Sequence, residues 1–241
     1  MTRVLSLESV DVCHWRGQRP VQVLRDASID LDAGELAGVW AKARGGKTTL
    51  LEVAAGVLAP DRGRVVIDGC DLAELTTRQT TELLHGAIGL ATRQGPAVPD
   101  LPVAAWVALG LMRHVDRRAA EQRAAQALER VGVGAVAGEP WRNLSDSERI
   151  HVAIARAVVC QPRLLLIDDP TAGLDMIERV GLLDLLRSIA ATTGVAILMS
   201  ASDMADLQGV ETVWSLVDGH LLGPPRQDAT VMDFARPAQR G

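Results

Sequence analysis

Cysteine is scarce in this chain, and the three that occur do not cluster. Cys13, Cys70 and Cys160 form no C-x-x-C pair and have no histidines at metal-ligand spacing, which argues against a zinc centre or a disulfide framework. They read as small buried hydrophobes in a reducing compartment. Basic runs are missing too: Lys and Arg are scattered and the net charge is −5, so the chain lacks the electrostatic footprint of a nucleic-acid binder. No apolar run near the middle is long enough to cross a bilayer. The longest, Leu101–Met112, is too short and carries Pro102 near its start, which fits a buried or partner-contacting helix better. The opening MTRVLSLESVDV has no apolar core flanked by a cleavage site, so the expectation is a protein that stays in the cytosol.

What is present is a chain of 241 residues, 48% of them apolar, enough for one α/β domain with a full core. Strands are expected at Val4–Val12, Val21–Leu31 and Leu36–Trp40, with a Gly-rich loop following at once. From Thr48, TTLLEVAAGVL has helical apolar spacing and stops near Pro60, so the loop sits between a buried strand and a helix N-terminus. Val65–Ile67 runs into the turn signal Asp68-Gly69, and Ala87–Ala91 reads as a further strand. Arg117–Val131 is an amphipathic helix that places Ala120, Ala124, Ala127, Leu128 and Val131 on one face. Ser145–Val159 is a second helix with acids in its first turn. Leu164–Asp169 (LLLIDD) is a continuous apolar strand ending in two carboxylates, as expected of a strand buried on both faces of a parallel sheet beside a ligand crevice. A helix at Asp175–Ala191, a strand at Val195–Met199 and a hairpin at Val213–Leu222 complete the chain, followed by a short polar tail at 224–241.

Two of these features carry chemistry. Ala41-Lys42-Ala43-Arg44-Gly45-Gly46-Lys47-Thr48-Thr49 fits the second half of the P-loop pattern G-x-x-x-x-G-K-[ST]. Gly46 lets the backbone approach phosphate, successive N–H groups hold negative charge, Lys47 reaches the β- and γ-phosphates, and Thr48 ligates Mg²⁺. The first half departs, because Ala41 stands at the leading glycine and Arg44 at a place often held by glycine. If either position needs a left-handed backbone, the side chain costs about 1–2 kcal/mol. Asp168 closes the apolar strand that is the usual second half of such a site, where a carboxylate holds Mg²⁺ through water. A strand-to-helix turn with a surface lysine, and an acidic strand end capping a helix, are the plainer readings of the same residues.

Taken together the motifs resemble the ATP-binding cassette (ABC) family over nearly the whole chain. Lys47 is followed by Leu144-Ser145-Asp146-Ser147-Glu148, then VAIARA at Val152–Ala157, then DDPTAGLD at Asp168–Asp175, which look like the family's P-loop, its signature with the following helix, and its Walker B strand with D-loop. About 120 residues separate Lys47 from Asp168, a spacing similar to that of transporter subunits and without room for a coiled-coil insertion. The resemblance implies an α/β fold with a P-loop NTPase core, an N-terminal β-rich subdomain and an inserted helical subdomain at about 92–145, all in one domain over 1–241. It also implies ATP and Mg²⁺ as cofactors, a second ABC subunit in a homodimer or heterodimer, and a transmembrane permease. Nucleic acid is not an expected partner. The implied location is cytoplasmic, peripheral on the inner face of the cell membrane.

Further roles come only through the resemblance. Trp15, or His14 beside it, stands where the family stacks an aromatic on adenine. Ser145 and Ser147 stand in the signature that faces the partner subunit's nucleotide. Asp169 stands at the catalytic glutamate, one methylene shorter, and Ser202 at the switch histidine. The signature's glycines and glutamine are replaced by Asp146, Ser147 and Glu148, and the Mg²⁺-sensing glutamine by Arg93, with Gln94 as its substitute if the loop shifts by one. The implied function is the ATP-binding subunit of an ABC transporter with slow hydrolysis; the alternative is a catalytically impaired nucleotide-binding module with a regulatory or structural role. Leu101–Met112 with Trp106 is an expected docking surface for a permease, and the alternative is ordinary subdomain core. The segment Leu182–Leu207 looks most like exporters or lipoprotein-release systems.

Overall fold

The computed structural model describes residues 2–223, so the expected tail at 224–241 lies outside it. Two sheets organise the described residues. In the first, β1 (Arg3–Arg16), β2 (Arg19–Asp32), β4 (Arg62–Ile67) and β5 (Cys70–Asp71) pair antiparallel in the order β2-β1-β4-β5. The second holds β3 (Leu36–Trp40), β6 (Ile88–Ala91), β7 (Leu164–Ile167), β8 (Ala196–Ala201), β9 (Thr212–Val217) and β10 (His220–Leu222). Its order is β10-β9-β3-β8-β7-β6, parallel except at the β9–β10 hairpin.

Sequence pattern explains the central strands. All of β7 and all of β8 are buried, and successive residues alternate between two cores. Leu164, Leu166, Ala196 and Leu198 pack toward the antiparallel sheet and the helix that follows β3, whereas Leu165, Ile167, Ile197 and Met199 pack toward later helices of the chain. A strand with helices or sheet on both faces must be apolar at every position, which is why these runs do not alternate with polar residues. Burying each such Leu or Ile contributes up to about 1.5–3 kcal/mol.

Helices attach around this frame. α1 (Lys47–Ala54) follows β3. It is shorter than its apolar spacing predicts, because Gly56 adopts φ 66° and the Val57 and Leu58 amides both turn back to Glu52 O, a left-handed stop well before Pro60. α2 (Thr77–Ala87) was not expected from apolar spacing, although Thr76 and Gln79 form a capping box at its start. Between β6 and α5 (Asp146–Val158) lie α3 (Val103–Leu109) and α4 (Arg117–Arg130). α4 is capped by Asp116 and buries Ala120, Ala124, Ala127 and Leu128, as its pattern predicts. α6 (Met176–Thr193) has a capping box of Asp175 with Glu178 and stops at left-handed Gly194.

Two expectations are corrected. Cys13 and Cys70 are exposed and Cys160 is half-buried, so none is a core residue. β1 changes register against β2 between Val12 and Cys13, and such an irregularity overrides the simple alternation that would assign Cys13 a face. Trp106 is buried at 7% exposure. It packs edge-on against Trp141 at 4.9 Å with Arg156 over its ring at 4.8 Å, which makes it core and not part of a docking surface; of its stretch, Pro102, Leu109 and Met112 are the exposed members.

Candidate functional site

The loop after β3 is shaped by its glycines. Gly46 adopts φ 97°, and a side-chain carbon there would lie 2.8 Å from Val23 Cγ1. One on Gly45 would meet Lys42 O at 2.8 Å and Ala41 Cβ at 2.9 Å. The methyl of Ala41 is fully buried, so it fills space beneath the loop that Gly45 leaves open, and Ala41 keeps an ordinary backbone. Arg44 does not: its φ is 63°, which costs about 1 kcal/mol or more without a compensating contact. Lys42, Ala43 and Arg44 are exposed on the crest.

Six residues, from the start of α1 and the C-terminal ends of β7 and β8, converge below that crest in a chain of hydrogen bonds that the Lys47–Thr48 peptide link closes into a ring. Lys47, 8% exposed, donates from Nζ to Ala41 O at 2.9 Å and to Ser202 Oγ at 3.0 Å. Ser202 donates to Asp169 Oδ2 at 2.5 Å. The Asp169 amide donates to Ser200 Oγ at 2.9 Å, and Ser200 donates to Asp168 Oδ1 at 2.6 Å. Thr48 Oγ1 then donates to Asp168 Oδ2 at 3.0 Å, and Thr48 is the neighbour of Lys47. Asp169 adopts φ 48°, a region that Asp tolerates better than most residues. Its Oδ1 is buried without a partner. The ring exists because β3 lies beside β8 and β8 beside β7, so the C-terminal ends of three parallel strands meet at one edge, the usual place for a ligand crevice.

Residues 24–172 match the family described as ABC transporter. The chain belongs to that family. It is 34% identical to the lipoprotein-releasing system ATP-binding protein LolD of Cereibacter sphaeroides, over 92% of this chain and all of that protein. It is 31% identical to LolD 2 of Caulobacter vibrioides over 90% of this chain and 96% of that protein. The methionine import ATP-binding protein MetN 1 of Rhodococcus jostii is also 31% identical, over 89% of this chain and 64% of that protein. Among solved structures, a dimeric ATP-binding cassette in a post-hydrolysis state with ADP and Pi has a TM-score of 0.82. That alignment covers 90% of this chain and 96% of the other at 23% identity, which speaks for the fold.

Other positions of the cassette fall outside the ring. Ser145 caps α5 and accepts the Glu148 amide at 3.2 Å, while Glu148 Oε2 accepts the Ser145 amide at 2.8 Å. One of the two new signature acids is thus turned back onto its own helix. Asp146 stays exposed with only a 3.4 Å contact to Arg149. Ser147 accepts His151 Nδ1 through its carbonyl at 2.7 Å. Among the described residues no hydrogen bond or ion pair joins Ser145 or Ser147 to the P-loop. His14 Nε2 lies 3.0 Å from Thr49 Oγ1, and Trp15, next along β1, is 72% exposed.

Arg93 takes an unexpected route. Its Nη2 donates to Pro170 O at 3.0 Å and also to Ala172 O, so it bolts the end of β6 to the segment after Asp169. Gln94 is exposed and lines a cleft of about 550 Å³ with Thr48, Arg93, Asp168 and Asp169. Ser200 was missed from the sequence because it is one hydroxyl in an apolar run. Its signal was its place near the end of β8, two residues before Ser202, a spacing at which extended residues share a face.

Proposed function

We propose that this cassette binds MgATP at Lys47, Thr48, Asp168, Asp169 and Ser202, and turns it over slowly to drive a membrane permease. The observation that carries this reading is the placement of Lys47 and Thr48 within one hydrogen-bonded circuit with both carboxylates. Lys47 exchanges Ala41 O and Ser202 Oγ for phosphate oxygens, a gain in charge that favours the exchange. The backbone amides at Gly45, Gly46 and the start of α1 hold the remaining phosphate charge, with Lys42, Ala43, Arg44 and Thr49 shaping the loop. Exposed Trp15 offers a face for the adenine.

Thr48 Oγ1, Asp168 Oδ2 and Gln94 supply hard oxygen donors on one side of the cleft, which suits Mg²⁺ better than a softer metal. When bound, Mg²⁺ neutralises charge on the terminal phosphates. In hydrolysis the water oxygen bonds to the γ-phosphorus as the bond between that phosphorus and the β–γ bridging oxygen breaks, ADP leaves with the bridging oxygen, and a proton of the water passes to Asp169. Reach governs that transfer. Asp169 is short, and Ser202 holds its Oδ2 at 2.5 Å, so turnover is slow.

Relatives named for lipoprotein release support a place beside an export-type permease on the cytoplasmic face, with Ser145 and Ser147 serving the nucleotide of a second ABC subunit. A purely regulatory, non-hydrolysing module is the second reading, favoured by the replacement of the switch histidine with Ser202. ATP titration and steady-state phosphate release separate the two. The proposal expects binding that falls by about 30- to 100-fold in Lys47→Ala and turnover well below about 10 per second. Undetectable binding by the parent sinks the proposal, and binding with no turnover selects the second reading.

A further inference from the structure

Every residue of β8 is fully buried, and all but Ser200 are apolar. A hydroxyl in that position is tolerated only if its hydrogen bonds are made. Both are: Ser200 Oγ accepts the Asp169 amide at 2.9 Å and donates to Asp168 Oδ1 at 2.6 Å. With Thr48 on Oδ2 at 3.0 Å, a hydroxyl holds each oxygen of the Asp168 carboxylate, and the oxygen presented to the P-loop is Oδ2. The same hydroxyl ties down the amide of Asp169 in its left-handed conformation. Neither carboxylate forms a direct ion pair among the described residues, and Asp169 Oδ1 is buried without a partner. Two adjacent carboxylates arranged by hydroxyls alone are disposed for a cation that is not part of the chain.

We infer that Ser200 is a positioning residue that sets how strongly Mg²⁺ promotes nucleotide binding, by aiming Asp168 Oδ2 and fixing the backbone of Asp169. It touches neither nucleotide nor metal. The inference rests on the MgATP reading above and names a residue outside the motifs that define the loop and the strand end. Partners one step removed from a metal ligand change metal affinity by about 10- to 100-fold when removed.

The test measures ATP affinity by calorimetry in Mg²⁺ and in EDTA for the parent, Ser200→Ala and Ser200→Thr, with thermal melting of each. In Ser200→Ala the metal-free affinity stays within about twofold of the parent, while the gain given by Mg²⁺ falls about 10- to 100-fold. Ser200→Thr keeps the hydroxyl and recovers most of that gain. A loosened core would lower both affinities together, so equal losses in the two buffers overturn the inference, as does an unchanged Mg²⁺ gain. If Ser200→Ala does not fold, Ser200→Cys, similar in size but a weak donor, must lose Mg²⁺ gain selectively; retention of the full gain overturns the inference. A parent that binds no ATP in either buffer is a separate result, which removes the MgATP reading and this inference with it.

Discussion

Replacing Asp169 with glutamate should move turnover and stability in opposite directions. The substitution adds one carbon–carbon bond, about 1.5 Å of reach. Displacements near 1 Å cost on the order of 10²-fold in a well-aligned reaction, so the expected gain in turnover is about 10- to 100-fold. Stability pays the cost: Asp169 sits at φ 48°, where Asp is enriched but Glu is not, and a longer carboxylate no longer meets Ser202 in the 2.5 Å geometry. The left-handed penalty alone is about 1 kcal/mol, worth roughly 2–4 °C of melting temperature in a chain of this size. The assay is phosphate release at saturating MgATP beside thermal melting, with Asp169→Asn as a control that keeps shape and removes the base. A glutamate variant that binds ATP as the parent does yet hydrolyses it no faster refutes the argument that reach limits turnover.

Arg93→Gln removes the two guanidinium bonds to Pro170 O and Ala172 O; the expected loss is about 2 kcal/mol, read as a lower melting temperature, and an unchanged melt would show that the bolt contributes nothing. A thiol reagent should label two cysteines quickly in the native protein, since Cys13 and Cys70 are exposed. Cys160 should react slowly until denaturant is added, because burial pushes its thiol above the usual range and depletes the thiolate; three fast equivalents would contradict this. The Ala73 amide, then Arg64, holds the Asp71 carboxyl below the usual carboxylate range. A lowered folded-state value stabilises above the unfolded value and is lost as pH falls through the folded one. The melting-temperature gap between the parent and Asp71→Asn should therefore be present at pH 6 and close below about pH 3.9; a gap that widens in acid has the wrong sign.

Much of this protein was legible in its residues because local physics decided it. Lys47, Thr48 and Asp168 announced themselves through a Gly-rich turn before a helix and an apolar strand that ends in acid. Strands β3, β7 and β8 followed from continuous apolar runs, and α4 from its spacing of buried alanines. Even the overlooked α2 was signposted by its Thr76 and Gln79 capping box. Face and contact were different matters. The register change beside Cys13 and the burial of Trp106 under Arg156 depend on what packs from elsewhere in the chain. Arg93 could be read as a missing glutamine, but not as a bolt onto Pro170 and Ala172. The ring itself joins Lys47 to Ser202, 155 residues away, through a strand order that sets β8 between β3 and β7, although β7 precedes β8 in the chain. Apolar patterning tells a strand to be buried without saying which neighbour buries it. The sequence alone therefore determined which groups could hold a phosphate and a metal, and only the tertiary pairing decided that Ser200 and Ser202 would link them, because hydrogen bonds this long in sequence exist only once the sheet has chosen its order.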